Sequence, residues 1–230
     1  MFKPFQIIIG DKNLSSWSLR PWLALVHCAS RGGAGVAFDE VCIPLNQPTT
    51  KAAIAVHSPN GKVPALLHRV EPGAVPVVIS ESLAICEYLN EVVPEARLWP
   101  AERSARAHAR AVSNEMHAGF STLRTNMPMN LVGRFPGVGR TAGVQADIDR
   151  VTEIWRDCRA RFGAAGPFLF GEFSIADAMF APVATRLRSY VVDVDPVSQA
   201  WCDAIFALPA LQRWEAEARA ELAASPGSAR

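Results

Sequence analysis

Lys62-Val63-Pro64-Ala65-Leu66-Leu67-His68-Arg69-Val70-Glu71-Pro72-Gly73-Ala74-Val75-Pro76-Val77-Val78-Ile79-Ser80-Glu81-Ser82 is the stretch on which the fold turns. Val63 to His68 and Val75 to Ile79 read as two strands, and Glu71-Pro72-Gly73 between them is a tight-turn sequence. So short a connection allows only antiparallel pairing. A helix from Ser82 to about Val92 follows. Upstream, Gln6-Ile7-Ile8-Ile9 is a continuous apolar run of the kind found in strands covered on both faces. Leu19, Trp22, Leu23 and Val26 fall at i, i+3, i+4, i+7 and mark one face of a helix, which Arg31-Gly32-Gly33 ends. Ala37 to Ile43 reads as a second strand and Thr50 to Val56 as a short helix.

The order is strand, helix, strand, helix, strand, strand, helix, with parallel and antiparallel pairs mixed, which is that of a thioredoxin-like domain. Pro94 to Pro100 is a proline-bounded linker, and beyond it strand signals nearly vanish. Val112, Met116, Phe120, Leu123 and Met127 form one helical stripe; Val144, Ile148, Val151, Trp155, Cys158 and Phe162 form another. Both are expected to lie on helices of more than about twenty residues. Three shorter helices follow, Ser174 to about Leu187, Pro196 to Leu208 and Pro209 to Ala223, and the tail Ser225 to Arg230 is expected to fray. The fold class is therefore α/β plus all-α. Residues 1–93 form the thioredoxin-like part, 94–100 the linker and 101–230 an all-helical domain.

The chain has 230 residues, half of them apolar, enough to fold without metal or disulfide staples. Lys and Arg number 23 against 22 Asp and Glu, so the basic footprint of a nucleic-acid binder is missing. No apolar stretch approaches the 18 or so residues of a membrane span, and the N-terminus lacks a signal-peptide core. Cys28, Cys42, Cys86, Cys158 and Cys202 are odd in number, widely spaced and set in apolar surroundings, and read as reduced core thiols of a cytoplasmic protein. The five histidines show neither HExxH nor paired Cys-His spacing, so no metal site is expected. No Cys-x-x-Cys is present, which removes dithiol redox chemistry.

Each remaining motif has a structural and a functional reading. Ser15-Ser16-Trp17-Ser18-Leu19-Arg20-Pro21-Trp22 lies between the first strand and first helix, where hydroxyls serve as caps or, with the helix N-terminus, stabilise an anion such as a thiolate. Pro21 cannot sit deep in a helix, so regular helix is expected near Ser18 with Ser15 and Ser16 on an open loop. Pro64, after Asn60-Gly61-Lys62-Val63, marks a strand edge or, if its bond is cis, turns the Val63 backbone outward to pair with an extended ligand. Glu81-Ser82 is an N-cap or a holder for an amino-acid-like end group. Ser174-Ile175-Ala176-Asp177 has capping-box spacing and is assigned to folding alone.

In combination, these motifs and their order resemble the cytosolic glutathione S-transferase superfamily over nearly the whole chain. Ser15-Ser16-Trp17-Ser18-Leu19-Arg20 is most similar to the Ser-Ser-Cys motif of the zeta class, with Trp17 in place of the cysteine. The resemblance implies a detoxification-type enzyme that stabilises the thiolate of glutathione, its cosubstrate, for attack on a small electrophile. Ser15 would bond the sulfur, with Ser16 and the N–H groups around Trp17 as the other candidates. Val63, with Pro64 cis, would pair with the cysteinyl unit, Glu81 and Ser82 would hold the γ-glutamyl end, and Lys62 would meet the glycyl carboxylate. The electrophile would bind near Met116, Phe120, Leu123 and Met127, and the chain would form a homodimer. The alternatives are a glutathione-dependent cis-trans isomerase of the maleylacetoacetate type and a non-catalytic binding module.

Overall fold

The computed structural model describes residues 2–224; the tail Ser225 to Arg230 lies outside the described residues. The sheet is built from β1 (Phe5–Gly10), β2 (Phe38–Ile43), β3 (Ala65–His68) and β4 (Val77–Ser80), in the spatial order β2-β1-β3-β4. β1 pairs in parallel with β2 and antiparallel with β3, which pairs antiparallel with β4. Between β3 and β4 the expected turn forms, with Gly73 at φ +83° and the Ala74 N–H donating to the Glu71 carbonyl at 3.2 Å. Proline second and a positive-φ glycine third are what a type II turn requires.

The apolar run on β1 is explained by layers on both sides. Ile7 and Ile9 point into the main core with α1 (Ser16–Gly32) and α3 (Ser82–Val92). Ile8 points the other way, onto Ile43, Ala65, Leu67 and Ile54 of the short helix α2 (Thr50–Ala55). Of the cysteines, Cys28, Cys86, Cys158 and Cys202 are buried; Cys42 is exposed, because it lies on the edge strand β2, with its thiol 3.5 Å from Glu221 Oε1.

The rest of the described chain is helical: α4 (Arg103–Ala118), α5 (Ser121–Asn126), α6 (Ala142–Phe162), α7 (Ile175–Ser189), α8 (Pro196–Phe206) and α9 (Pro209–Ala224). The first stripe does not lie on one long helix. Phe120, at φ +61°, turns the chain between α4 and α5. The carbonyls left free at the end of α4 are gathered by one side chain, Arg124, whose Nη2 donates to Met116 O, His117 O and Gly119 O. The linker is held by both sides: Leu98 and Trp99 are buried, a His27 ring nitrogen lies 3.1 Å from Ala96 O, and the Ile175 N–H donates to Leu98 O at 2.9 Å. Among the described residues, no helix is long and apolar enough to cross a membrane.

α7 is the axis of the helical part, buried at every residue from Ile175 to Leu187. Its start is fixed by Asp177, whose buried carboxylate does more than cap. Oδ2 accepts from the N–H and hydroxyl of Ser174, and Oδ1 accepts from the Leu169 N–H and from Trp201 Nε1 on α8, each at 2.9 Å. Removing an ordinary cap costs about 0.5–2 kcal/mol, but each buried donor left without an acceptor costs about 1–3 kcal/mol. Asp177→Ala is therefore expected to lower stability by about 3–5 kcal/mol in chemical denaturation. A loss within the ordinary cap range would show that the Leu169 and Trp201 bonds carry no energy.

Candidate active site

The site begins where β1 hands over to α1. Ser15 is the N-cap of α1 and Ser16 its first residue, so Ser16 belongs to the helix and not to an open loop. The early start is tolerated because the carbonyl deprived by Pro21 finds another donor. Trp17 stands four residues before Pro21, and its carbonyl accepts from Ser82 Oγ, at the start of α3, at 2.7 Å. Ser15 Oγ donates to Ser18 Oγ at 2.7 Å and accepts the Ser18 N–H at 3.4 Å, while the Gly10 N–H donates to Ser18 Oγ at 3.1 Å. The end of β1 and the start of α1 are thus tied by one short chain of bonds.

Trp17, Asn60, Lys62, Val63, Pro64, Glu81 and Ser82 line a cleft of about 150 Å³. Trp17, Lys62, Val63, Pro64, Glu81 and Ser82 are residues singled out in the sequence, and they converge; Ser15 and Ser16 are buried and do not line it. The Val63–Pro64 peptide bond is cis. Glu81 precedes α3 at φ +73°, ψ 131°, a conformation rare outside glycine, and makes no side-chain cap. Its Oε1 accepts from Asn60 Nδ2 at 3.3 Å, and Asn60 Oδ1 in turn accepts from the Lys62 N–H and the Ser58 hydroxyl. A backbone edge, a helix N-terminus, a carboxylate and an ammonium thus meet in one small cleft, a set suited to a zwitterionic, peptide-like ligand. The stripe proposed for the electrophile is corrected: Met116, Leu123 and Met127 are fully buried and Phe120 is nearly so, because α5 folds back after Phe120 and turns these side chains into the core. Among the described residues, no cluster of three or more metal-ligating side chains occurs.

Sequence reasoning missed the cations behind the cleft. Arg20 is wholly buried and donates from Nε to Met179 O at 2.9 Å and from Nη1 to Ser16 O at 3.1 Å. Arg186, on α7, donates to Met127 O, Pro182 O and, from Nη2, to Ser16 Oγ at 3.1 Å. The Trp17 ring lies 4.5 Å from the Arg20 guanidinium carbon and 4.9 Å from that of Arg124, with the His117 ring edge-on at 5.3 Å. Burial and the neighbouring guanidinium groups push Arg20 well down, and burial followed by Arg124 brings Arg186 down to about 10, so Arg186 stays charged at neutral pH. Burial also lowers His117, which Glu81 opposes and Arg20 and Arg124 reinforce. The readable signal was a charge where none is expected, Arg186 inside the otherwise apolar run of α7.

Two family models match this chain, the glutathione S-transferase N-terminal domain over residues 14–92 and the glutathione S-transferase C-terminal domain over residues 139–217. The chain belongs to the glutathione S-transferase superfamily. A probable maleylacetoacetate isomerase of Caenorhabditis elegans is 28% identical over 183 residues, covering 79% of this chain and 78% of that protein. The maleylacetoacetate isomerase of Rattus norvegicus is 29% identical over 126 residues, 52% of this chain and 54% of that protein. Among solved structures, a glutathione transferase homologue from Burkholderia with bound glutathione superposes with TM-score 0.66 at 23% identity, covering 95% of this chain and 99% of that one. Glutathione transferase Omega 2S of Trametes versicolor gives TM-score 0.66 at 20% identity over 98% of this chain and 99% of that one.

The Ser82 hydroxyl is already engaged with Trp17 O, so its removal is expected to act on stability first. Ser82→Ala leaves a carbonyl without a donor and should cost about 1–3 kcal/mol, measured by denaturation. If Ser82→Ala is as stable as the parent, the bond that holds α1 to α3 is worth nothing.

Proposed function

We propose that this chain is a glutathione S-transferase that binds glutathione along the cleft, favours its thiolate at the start of α1 and presents it to a small electrophile. The convergence of Trp17, Lys62, Val63, Pro64, Glu81 and Ser82 on one cleft supports this reading most directly. In it the Val63 backbone pairs with the cysteinyl unit, Glu81 and the leading N–H groups of α3 hold the γ-glutamyl end, and Lys62 meets the glycyl carboxylate. The zwitterionic ends of the ligand then sit on fixed groups of opposite sign, and the cysteinyl thiol falls toward Trp17 and the start of α1. The intact set of cleft residues speaks against a non-catalytic binding module.

A second reading is favoured by the relatives named maleylacetoacetate isomerases: glutathione-dependent cis-trans isomerisation, in which the thiolate adds to and leaves the same substrate. The substrate separates the two, since transfer consumes glutathione and isomerisation does not. The chain is further proposed to work as a cytoplasmic homodimer. The exposed Val77 and Val78 on the edge strand β4 are apolar surface that a second copy would cover. Such an interface should bury about 2,000 Å² or more in total, and light scattering giving the mass of a single chain at micromolar concentration would contradict it.

The strained residue offers a direct test of the cleft. Glu81→Ala and Glu81→Gly both remove the carboxylate, and each should weaken retention on immobilised glutathione by about 10-fold or more, the loss expected for a charged hydrogen bond. Only Gly also relieves the positive φ, so Glu81→Gly should be more stable than Glu81→Ala by about 1 kcal/mol. Undiminished retention in both variants would remove Glu81 from the ligand.

A further inference from the structure

Lysine is seldom buried, yet the Lys12 side chain, in the loop between β1 and α1, keeps only 7% of its surface exposed. Each of its polar groups is bonded to α9. The backbone N–H donates to Glu221 Oε2 at 2.9 Å, the carbonyl accepts from Trp214 Nε1 at 2.7 Å, and Nζ donates to Glu217 Oε2. Nζ also donates to Glu40 Oε2, on β2, at 2.6 Å, and it lies 5.4 Å from the Trp214 ring centre and 5.9 Å from that of Trp22. Burial disfavours the ammonium, but Glu217 and Glu40 outweigh burial and raise Lys12 above its ordinary value. Arg213 closes the ring of charges by pairing with Glu40 and Glu217.

The residues on either side of Lys12 carry that grip toward the site. The Asp11 carbonyl accepts the N–H of Leu14 at 3.1 Å and that of Ser15 at 2.8 Å, so the loop is one tight turn that ends on the N-cap of α1. Asp11 Oδ2 takes the Leu45 N–H, and Asn13 takes the N–H groups of Leu131 and Val132 through its O and Oδ1. Trp17, two residues past the cap, is a wall of the cleft, whereas α9 supplies no lining residue of it among the described residues. We propose that Lys12 is a positioning residue: α9 grips it, fixes the Asp11–Ser15 turn and through that turn the Trp17 wall, so that glutathione affinity depends on a helix that does not line the cleft. If Glu217 is neutralised, the ammonium is left with Glu40 in a largely dry place, and a buried charge short of a partner is driven toward water. The Lys12 N–H and carbonyl are bonded to the same helix, so the turn moves with the side chain. Arg20 and Arg186 hold the first turn of α1 itself; Lys12 holds the chain that leads into it. The assignment rests on reading the cleft as the glutathione site.

The test measures glutathione binding by calorimetry, and amide hydrogen exchange, in the parent and in Lys12→Met, Lys12→Arg, Glu217→Gln, the double variant Lys12→Met with Glu217→Gln, and Arg219→Ala, each well below its melting temperature. Lys12→Met and Glu217→Gln should each weaken glutathione binding by about 10-fold and speed exchange at Leu14 and Ser15 by about as much. The double variant should bind no more weakly than Lys12→Met, because both substitutions remove one contact. Lys12→Arg keeps the charge and should recover most of the affinity. Arg219, exposed on α9 and paired with Glu215, lies off the clamp, and Arg219→Ala should bind as the parent does. The proposal is overturned if folded Lys12→Met and Glu217→Gln bind glutathione with the parent's affinity, whatever their melting temperatures, or if their losses add in full. Equal losses in Lys12→Arg and Lys12→Met would also overturn it, since side-chain shape and not the ion pair would then decide. Should Lys12→Met fail to fold, Glu217→Gln, at the partly exposed end of the pair, decides alone. A parent that binds no glutathione overturns the cleft reading, and exchange at Leu14 and Ser15 then decides the clamp: unchanged rates in Glu217→Gln overturn it.

Discussion

Arg20 and Arg186 are buried where α1 meets α7, and taking a guanidinium out of water costs several kcal/mol unless its donors are met. Met179 O and Ser16 O meet Arg20, and Met127 O, Pro182 O and Ser16 Oγ meet Arg186. Two of these bonds, Arg20 to Met179 O and Arg186 to Ser16 Oγ, cross between the thioredoxin-like part and the helical part, so the two cannot shift against each other without stranding a charge. The position of the first turn of α1 is set by that constraint. Everything else at the cleft is set relative to this turn.

The second fixed point is the Trp17 carbonyl. Pro21 withholds the N–H that would have received it, and Ser82 Oγ takes the place of that N–H from the start of α3. One bond thus joins two walls of the cleft, Trp17 and Ser82, and the proline that looks like a flaw in α1 is the reason the bond exists. Trp17 is held from its other side by Arg20 and Arg124. A wall fixed by both packing and hydrogen bonding needs little reorganisation when a ligand arrives, which is the geometric condition for a preorganised site.

What could be read from the sequence follows from how local each signal is. Ile7-Ile8-Ile9, Glu71-Pro72-Gly73 and the Ser82 to Val92 helix are each decided within a few residues, and the sheet order follows from them. Six cleft residues were legible for the same reason, each standing at the end of an element where a motif announces itself. The start of α1 was not, because it depends on a hydroxyl 65 residues away. The break after α4 depends on Arg124, which gathers carbonyls that periodicity treats as satisfied inside one long helix. The stripe Met116, Phe120, Leu123 and Met127 looked alike whether it faced a pocket or the core, since apolar spacing says that a face is covered but not by what.

The thiols of the chain itself bear on which chemistry the cleft can perform. Trp17 occupies the place where the zeta-class motif has a cysteine, so a nucleophile from this position is ruled out by residue type. Burial pushes the thiols of Cys28, Cys158 and Cys202 up to about 12 and that of Cys86 higher still. Cys42, exposed on the edge strand β2 beside the Glu221 carboxylate, lies outside the cleft. At pH 7 a thiol with a pKa near 12 is ionised in only about one molecule in 10⁵. None of the five cysteines lines the cleft. In the proposed reading the nucleophilic sulfur at this site comes from bound glutathione.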